Sequence, residues 1–254
     1  MAYPLSEAIG HPDCTLCPPQ IGLLVIGATP IRGIPSNPFD QSVFISEGPF
    51  LNEDVQASIS ALHGMHMVLL LVENADSEIA TVAAKSLRKT LKVAFVARNE
   101  PTALLRANVD ALFETGHGVS LDRICSVLVY PLTRAGIQNL DFEDARNLLR
   151  QKGNMLIGFG SSSVIAAGTA ASAVRQALES MDIAQLERAT SVFVGISAPW
   201  GAVKLQDVTA ALAFVRRCLP LVANDAVPYS LTPANEAIIS VAVIATGIHQ
   251  IEET

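Results

Sequence analysis

Long hydrophobic runs and basic clusters are both missing from this sequence. Half of its 254 residues are hydrophobic, yet the apolar runs are short, and none approaches the roughly 18 residues that a membrane-spanning helix needs. The 24 acidic residues outnumber the 17 basic ones, which gives a formal net charge of −7. A chain of this charge without a basic run is not expected to bind nucleic acid or an anionic membrane surface. We therefore predict a globular protein with no nucleic-acid partner and no direct membrane insertion.

Cysteine is also scarce, because the chain contains only four, too few for a disulfide framework at this length. The spelling His11-Pro-Asp-Cys14-Thr-Leu-Cys17 is similar to a metal or redox motif, but zinc requires four ligands and no second pair follows. We therefore predict no metal site and interpret residues 1–20 as a flexible tail. The first ten residues include Glu7 and no basic region of the kind that begins a secretory signal. A cytoplasmic location is the expectation that follows.

The first half of the chain alternates strand and helix patterns. Residues 21–27 form a continuous apolar run bounded by glycines, which predicts a buried strand of a parallel sheet. The proline-rich residues 28–49 are interpreted as a loop with one short strand. The other predicted elements are helices over 52–62 and 77–89 and strands over 67–72, 92–97 and 109–113. This alternation predicts right-handed crossovers and a parallel sheet covered by helices.

The second half begins with a long predicted helix. Residues 119–135 carry apolar side chains on much of the helix surface, as a helix buried between two layers does. An acidic and amide-rich stretch follows it, and then strands and helices mix. The predicted elements are helices over 144–151, 166–179 and 205–218 and strands over 154–159, 191–196 and 238–246. We interpret this half as a separate layer that the long helix connects to the first.

Four segments of the second half resemble the FtsZ branch of the tubulin superfamily. They are Gln138-Asn-Leu-Asp-Phe-Glu-Asp-Ala-Arg146, similar to the synergy loop of that family, and the elements at 152–160, 170–179 and 241–248. The resemblance implies an α/β fold with a Rossmann-like parallel-sheet N-terminal domain, a long central helix and a second α+β domain. It implies these boundaries: a tail at 1–20, a reduced nucleotide-binding-like domain at 21–118, the central helix at 119–137 and the C-terminal domain at 138–254.

The first half departs from this family at both of its glycine-rich nucleotide loops. Where the family has Gly-Gly-Gly-Thr-Gly-Thr-Gly, this chain reads Glu73-Asn-Ala-Asp-Ser77. Side chains then fill the space that phosphate needs, and Glu73 and Asp76 place like charge against it. After the first strand, Pro30 removes a backbone donor from the other loop. The resemblance therefore implies a degenerate nucleotide domain without a cofactor, and GTP belongs only to an alternative in which other residues rebuild the pocket.

The resemblance also assigns a role to three residues of the synergy loop. Asn139, Asp141 and Asp144 occupy the positions whose side chains, in that family, enter the next subunit's pocket and orient the water that attacks the γ-phosphate. Carboxylates at the start of a helix can hold such a water. A structural interpretation stays open beside this one. Asp141 is a good helix N-cap, and the helix dipole favours Asp144 in the first turn.

Three other features of the sequence do not predict a functional site. The glycine- and serine-rich residues 158–163 lack the lysine of a phosphate-binding loop and are interpreted as an ordinary strand-to-helix loop. The histidines share no spacing, and no Ser/His/Asp order indicates a hydrolase. Trp200 is the single tryptophan. It is either part of a small contact patch or a cover over the core, and we favour the cover.

The sequence thus predicts an FtsZ/tubulin-like cytoskeletal or cell-division-related assembly protein. We expect it neither to bind nor to hydrolyse GTP, and to make head-to-tail contacts with itself or with another FtsZ-type protein. Two alternatives stay open: an active GTPase with a rebuilt pocket, and a binding module that shares only the fold.

Overall fold

The structure is a computed structural model that describes residues 18–27, 39–46, 52–74, 76–114, 121–133, 138, 140–151, 154–164, 169–219, 221–222, 227–233 and 237–248. Its first half contains five strands. They are β1 (Ile21–Gly27), β2 (Gln41–Ser46), β3 (Met67–Asn74), β4 (Leu91–Arg98) and β5 (Ala111–Glu114). Three helices alternate with them: α1 (Asn52–Ile59), which continues as a 3-10 turn (Ser60–Leu62), α2 (Glu78–Ser86) and α3 (Ala103–Asn108). The predicted alternation of strand and helix is confirmed.

The central helix follows β5. It comprises α4 (Leu121–Ile124), a π-helical turn (Cys125–Val129) and α5 (Tyr130–Thr133). The second half then contains β6 (Asn154–Ser163), β7 (Ser191–Ala198), β8 (Tyr229–Pro233) and β9 (Ile238–Ile248). Its helices are α6 (Phe142–Leu149), α7 (Thr169–Glu179), α8 (Ile183–Leu186) and α9 (Leu205–Cys218). No helix in the described part of the chain is long and apolar enough to cross a membrane.

All nine strands belong to one sheet, in the order β2-β1-β3-β4-β5-β6-β9-β7-β8. The strands from β2 to β6 are parallel to their neighbours, whereas β9 runs antiparallel to both β6 and β7. Phe113 of β5 lies opposite Met155 of β6, and this pair makes the sheet continuous between the halves. The prediction that the second half forms a separate layer is therefore wrong, because its strands extend the sheet of the first half.

One layer of the core is shared by both halves. Side chains on one face of the sheet, among them Phe95, Phe113 and Phe193, pack with Leu128 of the central helix and Leu148 of α6. The rings of Phe95 and Phe113 are stacked, with their centroids 5.0 Å apart. The other face is covered separately, by α1, α2 and α3 over the first half and by α7, α8 and α9 over the second. The central helix thus connects the halves by burying apolar area of each.

The glycines that we assigned to a loop lie inside β6, so that prediction is also wrong. A Cβ at Gly160 would overlap the carbonyl oxygen of Ala173, and a Cβ at Gly158 would overlap that of Ala177. Both alanines belong to α7, whose backbone therefore lies directly on the strand. Glycine is required at these positions by the close approach of two backbones.

Candidate functional site

The loop before α6 is held at both ends. Gln138 forms an antiparallel bridge with Leu231 of β8: the Leu231 N–H donates to the Gln138 carbonyl at 2.9 Å, and the reverse bond is 3.4 Å. The N–H of Leu140 donates to the carbonyl of Pro131 in the central helix at 3.3 Å, and the Leu140 side chain is buried in the shared core. Asn139, one of the three predicted site residues, lies outside the described residues.

Asp141 caps α6. Its Oδ1 accepts the N–H of Glu143 at 2.7 Å, and its carbonyl accepts the N–H of Ala145 at 3.0 Å. The backbone of Asp141 is extended, with φ −69° and ψ 142°, as an N-cap residue requires. The structural interpretation of this aspartate is confirmed, while its catalytic role stays a prediction.

Asp144 has a different environment. It is exposed in the first turn of α6 and makes no ion pair or hydrogen bond with any described residue. Its neighbour Glu143 instead pairs with Arg146, at 2.5 Å between Oε1 and Nη2. The helix dipole favours a carboxylate here, but nothing in the described structure holds it in place. The Asp144 side chain is therefore available to a group outside the chain.

Contacts at both ends of α6 place it under the edge of the sheet where the parallel strands begin. At its start, the ring of Phe142 lies edge-on against His66, which precedes β3. At its end, the Arg150 Nε lies 3.2 Å from the Asp110 Oδ1, and Asp110 precedes β5. The other carboxylate oxygen of Asp110 accepts the N–H of Lys92 in β4 at 2.8 Å. We call this side of the molecule the amino edge.

The opposite side, where the parallel strands end, is the carboxyl edge. In open α/β sheets, ligands bind outside the carboxyl ends of the strands. Here the carboxylate of Glu73, at the end of β3, lies beside Gly27 at the end of β1. A Cβ on Gly27 would stand 2.8 Å from the Glu73 Oε2. The position where a phosphate would approach the Gly27 backbone therefore holds a negative side chain of the protein itself.

Further side chains at the carboxyl edge are paired with one another. Arg98 lies 3.6 Å from Glu73, and the Asn99 amide donates to Asp76 at 3.2 Å. Ser77 precedes α2 but makes no side-chain cap hydrogen bond. The predicted phosphate-loop segment does connect a strand to a helix, but its charged side chains are bonded to Arg98 and Asn99 at the end of β4. Residues 28–38, Ala75 and residues 115–120, which follow β1, β3 and β5 in the sequence or interrupt the segment after β3, lie outside the described residues.

The two edges are well separated. His66 and Glu73 are seven residues apart along β3, and a strand rises about 3.3 Å per residue, so roughly 23 Å lies between them. The acidic start of α6 contacts His66, whereas Gly27 and Glu73 lie at the far end. Asp141 and Asp144 therefore cannot reach Gly27 and Glu73 of their own chain.

The remaining predicted residues contribute no site. His66 is structural, since its Nδ1 accepts the N–H of Gln20 at 3.0 Å. Cys14 and Cys17 lie outside the described residues, and among the described ones no cluster of His, Cys, Asp or Glu could hold a metal ion. Trp200 is 77% exposed, so its interpretation as core cover is wrong. Sequence reasoning missed Gln138, Arg98 and the Gly27–Glu73 contact, because each depends on which strands become neighbours.

No family model matches this chain, and no curated protein matches it in sequence. Solved structures do match it. An FtsZ W319Y mutant of M. jannaschii is 19% identical, with a TM-score of 0.68 over 91% of this chain and 92% of that one. An empty FtsZ dimer of M. jannaschii is 18% identical, with a TM-score of 0.66 over 92% and 89%. CetZ2 from Haloferax volcanii, in a GTPγS-bound protofilament, is 15% identical, with a TM-score of 0.55 over 79% and 70%. Despite the low identity, this chain therefore has an FtsZ/tubulin-like fold.

Proposed function

We propose that this chain is a cytoskeletal assembly protein that stacks head to tail through the acidic start of α6 and does so without bound nucleotide. The observation that carries the proposal is the placement of two features on opposite edges of one sheet. The exposed carboxylates of Asp141 and Asp144 lie at the amino edge, and the Glu73 carboxylate beside Gly27 lies at the carboxyl edge. Only a neighbouring copy stacked along the strand direction brings these two features together.

The local chemistry supports the loss of nucleotide. A phosphate at Gly27 would have to displace the Glu73 carboxylate and would meet its negative charge at short range. Arg98 forms an ion pair with Glu73, and its side chain is 54% exposed. Arg98 can therefore also attract an acidic group from outside the chain. We call the start of α6 with Asp141 and Asp144 the acidic loop. The exposure of Arg98 supports a contact in which this cation, rather than a nucleotide, faces the acidic loop of the next copy.

The geometry also specifies the kind of assembly. Two different surfaces meet in a head-to-tail contact, so a contact that does not close into a ring produces a filament. The partner is a second copy of this chain or an FtsZ-type protein. If such a partner holds GTP, Asp141, Asp144 and Asn139 would face that nucleotide in trans. The cellular process and the cytoplasmic location stay predictions.

Sedimentation and light scattering with and without GTP test the proposal. We expect assembly that is independent of GTP and that falls when salt is raised, because screening weakens contacts between exposed charges. The double variant Asp141→Ser and Asp144→Asn keeps a capping side chain while removing both carboxylates, and it should assemble less than the parent. Glu179→Gln is the matched control, because it removes an exposed acid at the end of α7, for which no contact with the start of α6 or with Glu73 and Arg98 is found.

Three outcomes contradict the proposal. Assembly that requires GTP would support the alternative of a GTPase with a rebuilt pocket. If the protein assembles neither alone nor with any FtsZ-type partner offered, the proposed assembly is wrong and the chain shares only the fold of those proteins. Equal loss in the Glu179→Gln control would show that net charge, rather than the acidic loop, controls assembly.

A further inference from the structure

Two arginine side chains share one aromatic ring on the surface of the second half. The guanidinium carbon of Arg175, in α7, lies 5.4 Å from the centroid of the Phe214 ring. That of Arg217, in α9, lies 5.2 Å from the same centroid. Both arginines are exposed, whereas Phe214 is partly buried at the margin of the core beneath α7 and α9. We call Arg175, Phe214 and Arg217 the arginine cluster.

The charge of this cluster is not balanced within the part of the chain that the structure describes. An aromatic face attracts a cation. The two guanidinium groups, however, are at most about 11 Å apart, roughly one Debye length at 0.1 M salt, so they also repel each other. Neither arginine forms an ion pair with a described residue, not even with Glu179, which lies one helical turn after Arg175. The cluster is therefore suited to carboxylates from another segment.

The last strand, β9, runs in the same direction as α7, which carries Arg175. In α7, Ala173 lies against Gly160 of β6. Ala177, one turn later in the helix, lies against Gly158, which is two residues earlier in the strand. α7 therefore runs opposite to β6, and β9 is also antiparallel to β6. The ends of α7 and β9 accordingly lie toward the same end of the second half.

The helix that carries Arg217 and Phe214 has this direction too. α9 lies between the end of β7 and the start of β8 in the chain, and these two strands are parallel, so the helix returns against their direction. Because β7 is antiparallel to β9, α9 and β9 run the same way. Arg217 is the residue before the last of α9. It therefore lies toward the end of the helix layer at which β9 finishes.

The residues that follow β9 carry the charge that the arginine cluster lacks. Ile248, the last residue of β9, is buried in the core beneath the helices α7, α8 and α9. Residues 249–254 lie outside the described residues, and they include Glu252 and Glu253. An extended chain spans about 3.3–3.6 Å per residue, so the backbone of these glutamates can lie roughly 14–18 Å from Ile248. That reach exceeds the diameter of one helix, about 10–12 Å, and allows the carboxylates to reach the outer surface of the helix layer.

We propose that Glu252 and Glu253 dock on the arginine cluster of the same chain and pair with Arg175 and Arg217. The two carboxylates offset the repulsion between the guanidinium groups. Exposed ion pairs are individually weak, but attachment to β9 by a few residues gives the glutamates an effective concentration in the millimolar range. The contact forms within one chain and does not depend on the proposed head-to-tail assembly.

Carbodiimide cross-linking tests the docking directly. The reagent couples an amine to a carboxylate that lies in contact with it, whereas arginine does not react. Arg217→Lys therefore places a reactive amine in the cluster and keeps its positive charge. We expect an amide between position 217 and Glu252 or Glu253, identified by tandem mass spectrometry, with a yield that does not depend on protein concentration. Lys204, about 20 Å away at the start of α9 at a rise of about 1.5 Å per residue, is the internal control and should not couple to these glutamates.

Thermal unfolding gives a second, independent measurement. Glu252→Gln together with Glu253→Gln should lower the Tm by roughly 2–4 °C at low salt, the size expected for two exposed ion pairs in a chain of this length, and by less at high salt. In a chain that also carries Arg175→Gln and Arg217→Gln, the same two substitutions should have no effect, because their partners are gone. Glu100→Gln removes an exposed acid after β4 and is the matched control, whose effect should be equal in both backgrounds.

The outcomes separate this inference from the proposed function. Absence of the cross-link at position 217, or a Tm shift that is the same in both backgrounds, overturns the inference. A cross-link found only between chains, with a yield that rises with protein concentration, shows that the acids of another copy occupy the cluster and also overturns it. None of these results bears on the proposed assembly, because neither the acidic loop nor Arg98 takes part in the measurements.

Discussion

The ring of Phe142 lies against the ring of His66, with 5.9 Å between their centroids and an angle of 80° between their planes. This contact joins the first turn of α6 to the loop that precedes β3. Because β3 is eight residues long and its far end carries Glu73, the contact also fixes the acidic loop and Glu73 on opposite edges. The position at which α6 begins therefore determines the edge of the sheet at which Asp141 and Asp144 lie.

Replacement of Asp141 separates capping from assembly. Asp141→Ala should lower the free energy of unfolding by about 1 kcal/mol, because the Glu143 N–H loses its acceptor. Asp141→Ser should keep nearly all of the stability, since serine caps equally well, yet still weaken assembly. Urea unfolding followed by circular dichroism measures the first effect and sedimentation the second. If Asp141→Ser assembles as well as the parent, the carboxylate takes no part in the contact.

Gly160 is predicted to be the most sensitive glycine of the second half. Gly160→Ala forces a methyl group into the backbone of α7, and such overpacking costs about 1–3 kcal/mol. Gly195→Ala is the matched control in β7, because its added Cβ would lie 3.5 Å from the nearest atom, an ordinary contact. The midpoints of urea unfolding should therefore differ clearly between the two variants. Equal midpoints would contradict the close approach of α7 to β6.

Asp110 is expected to matter more than its partner Arg150. Asp110→Ala removes both the ion pair and the acceptor of the half-buried Lys92 N–H, and we expect a loss of about 1–3 kcal/mol. Arg150→Ala removes only an exposed ion pair, whose contribution is about 0–1 kcal/mol. Thermal or urea unfolding of both variants and the double variant gives the coupling. Equal effects of the two single variants would show that the ion pair, rather than the bond to the Lys92 N–H, accounts for the contribution of Asp110.

GTP is predicted not to stabilise the chain. A ligand at 100 times its Kd raises the free energy of unfolding by about 2.7 kcal/mol, which for a chain of this length corresponds to roughly 5–10 °C in Tm. Differential scanning fluorimetry with GTP and magnesium at about 1 mM would detect a Kd of about 10 μM. We expect no shift. A shift of several degrees that is absent with ATP would establish the rebuilt-pocket alternative.

Local interactions could be predicted from the sequence. The apolar run at 21–27 and the helical pattern at 205–218 match β1 and α9 at every boundary residue, because a buried strand and an amphipathic helix have characteristic periodicities. The capping of α6 by Asp141 was equally visible, since a cap acts on a backbone group two residues away. The short elements α3, α8 and β8 were missed because they contain only four to six residues.

Relations between distant segments could not be predicted in this way. The pattern that predicts a buried strand does not specify its neighbours, so the joining of both halves through Phe113 and Met155 was misjudged. The glycines of β6 were interpreted as a loop because the need for glycine there comes from the close approach of the α7 backbone. Trp200 was interpreted as core cover because the apolar character of a residue does not show whether it is exposed.

The sequence by itself determined most of the longer elements, the acidic cap of α6 and the absence of glycines at the phosphate-loop position, since each is a matter of residue type and short spacing. The tertiary structure alone decided that α6 lies at the amino edge while Glu73 occupies the space beside Gly27 at the carboxyl edge. The physical reason is that strand order and register are set by packing among residues far apart in the chain. The polarity on which the proposed assembly depends arises from that packing.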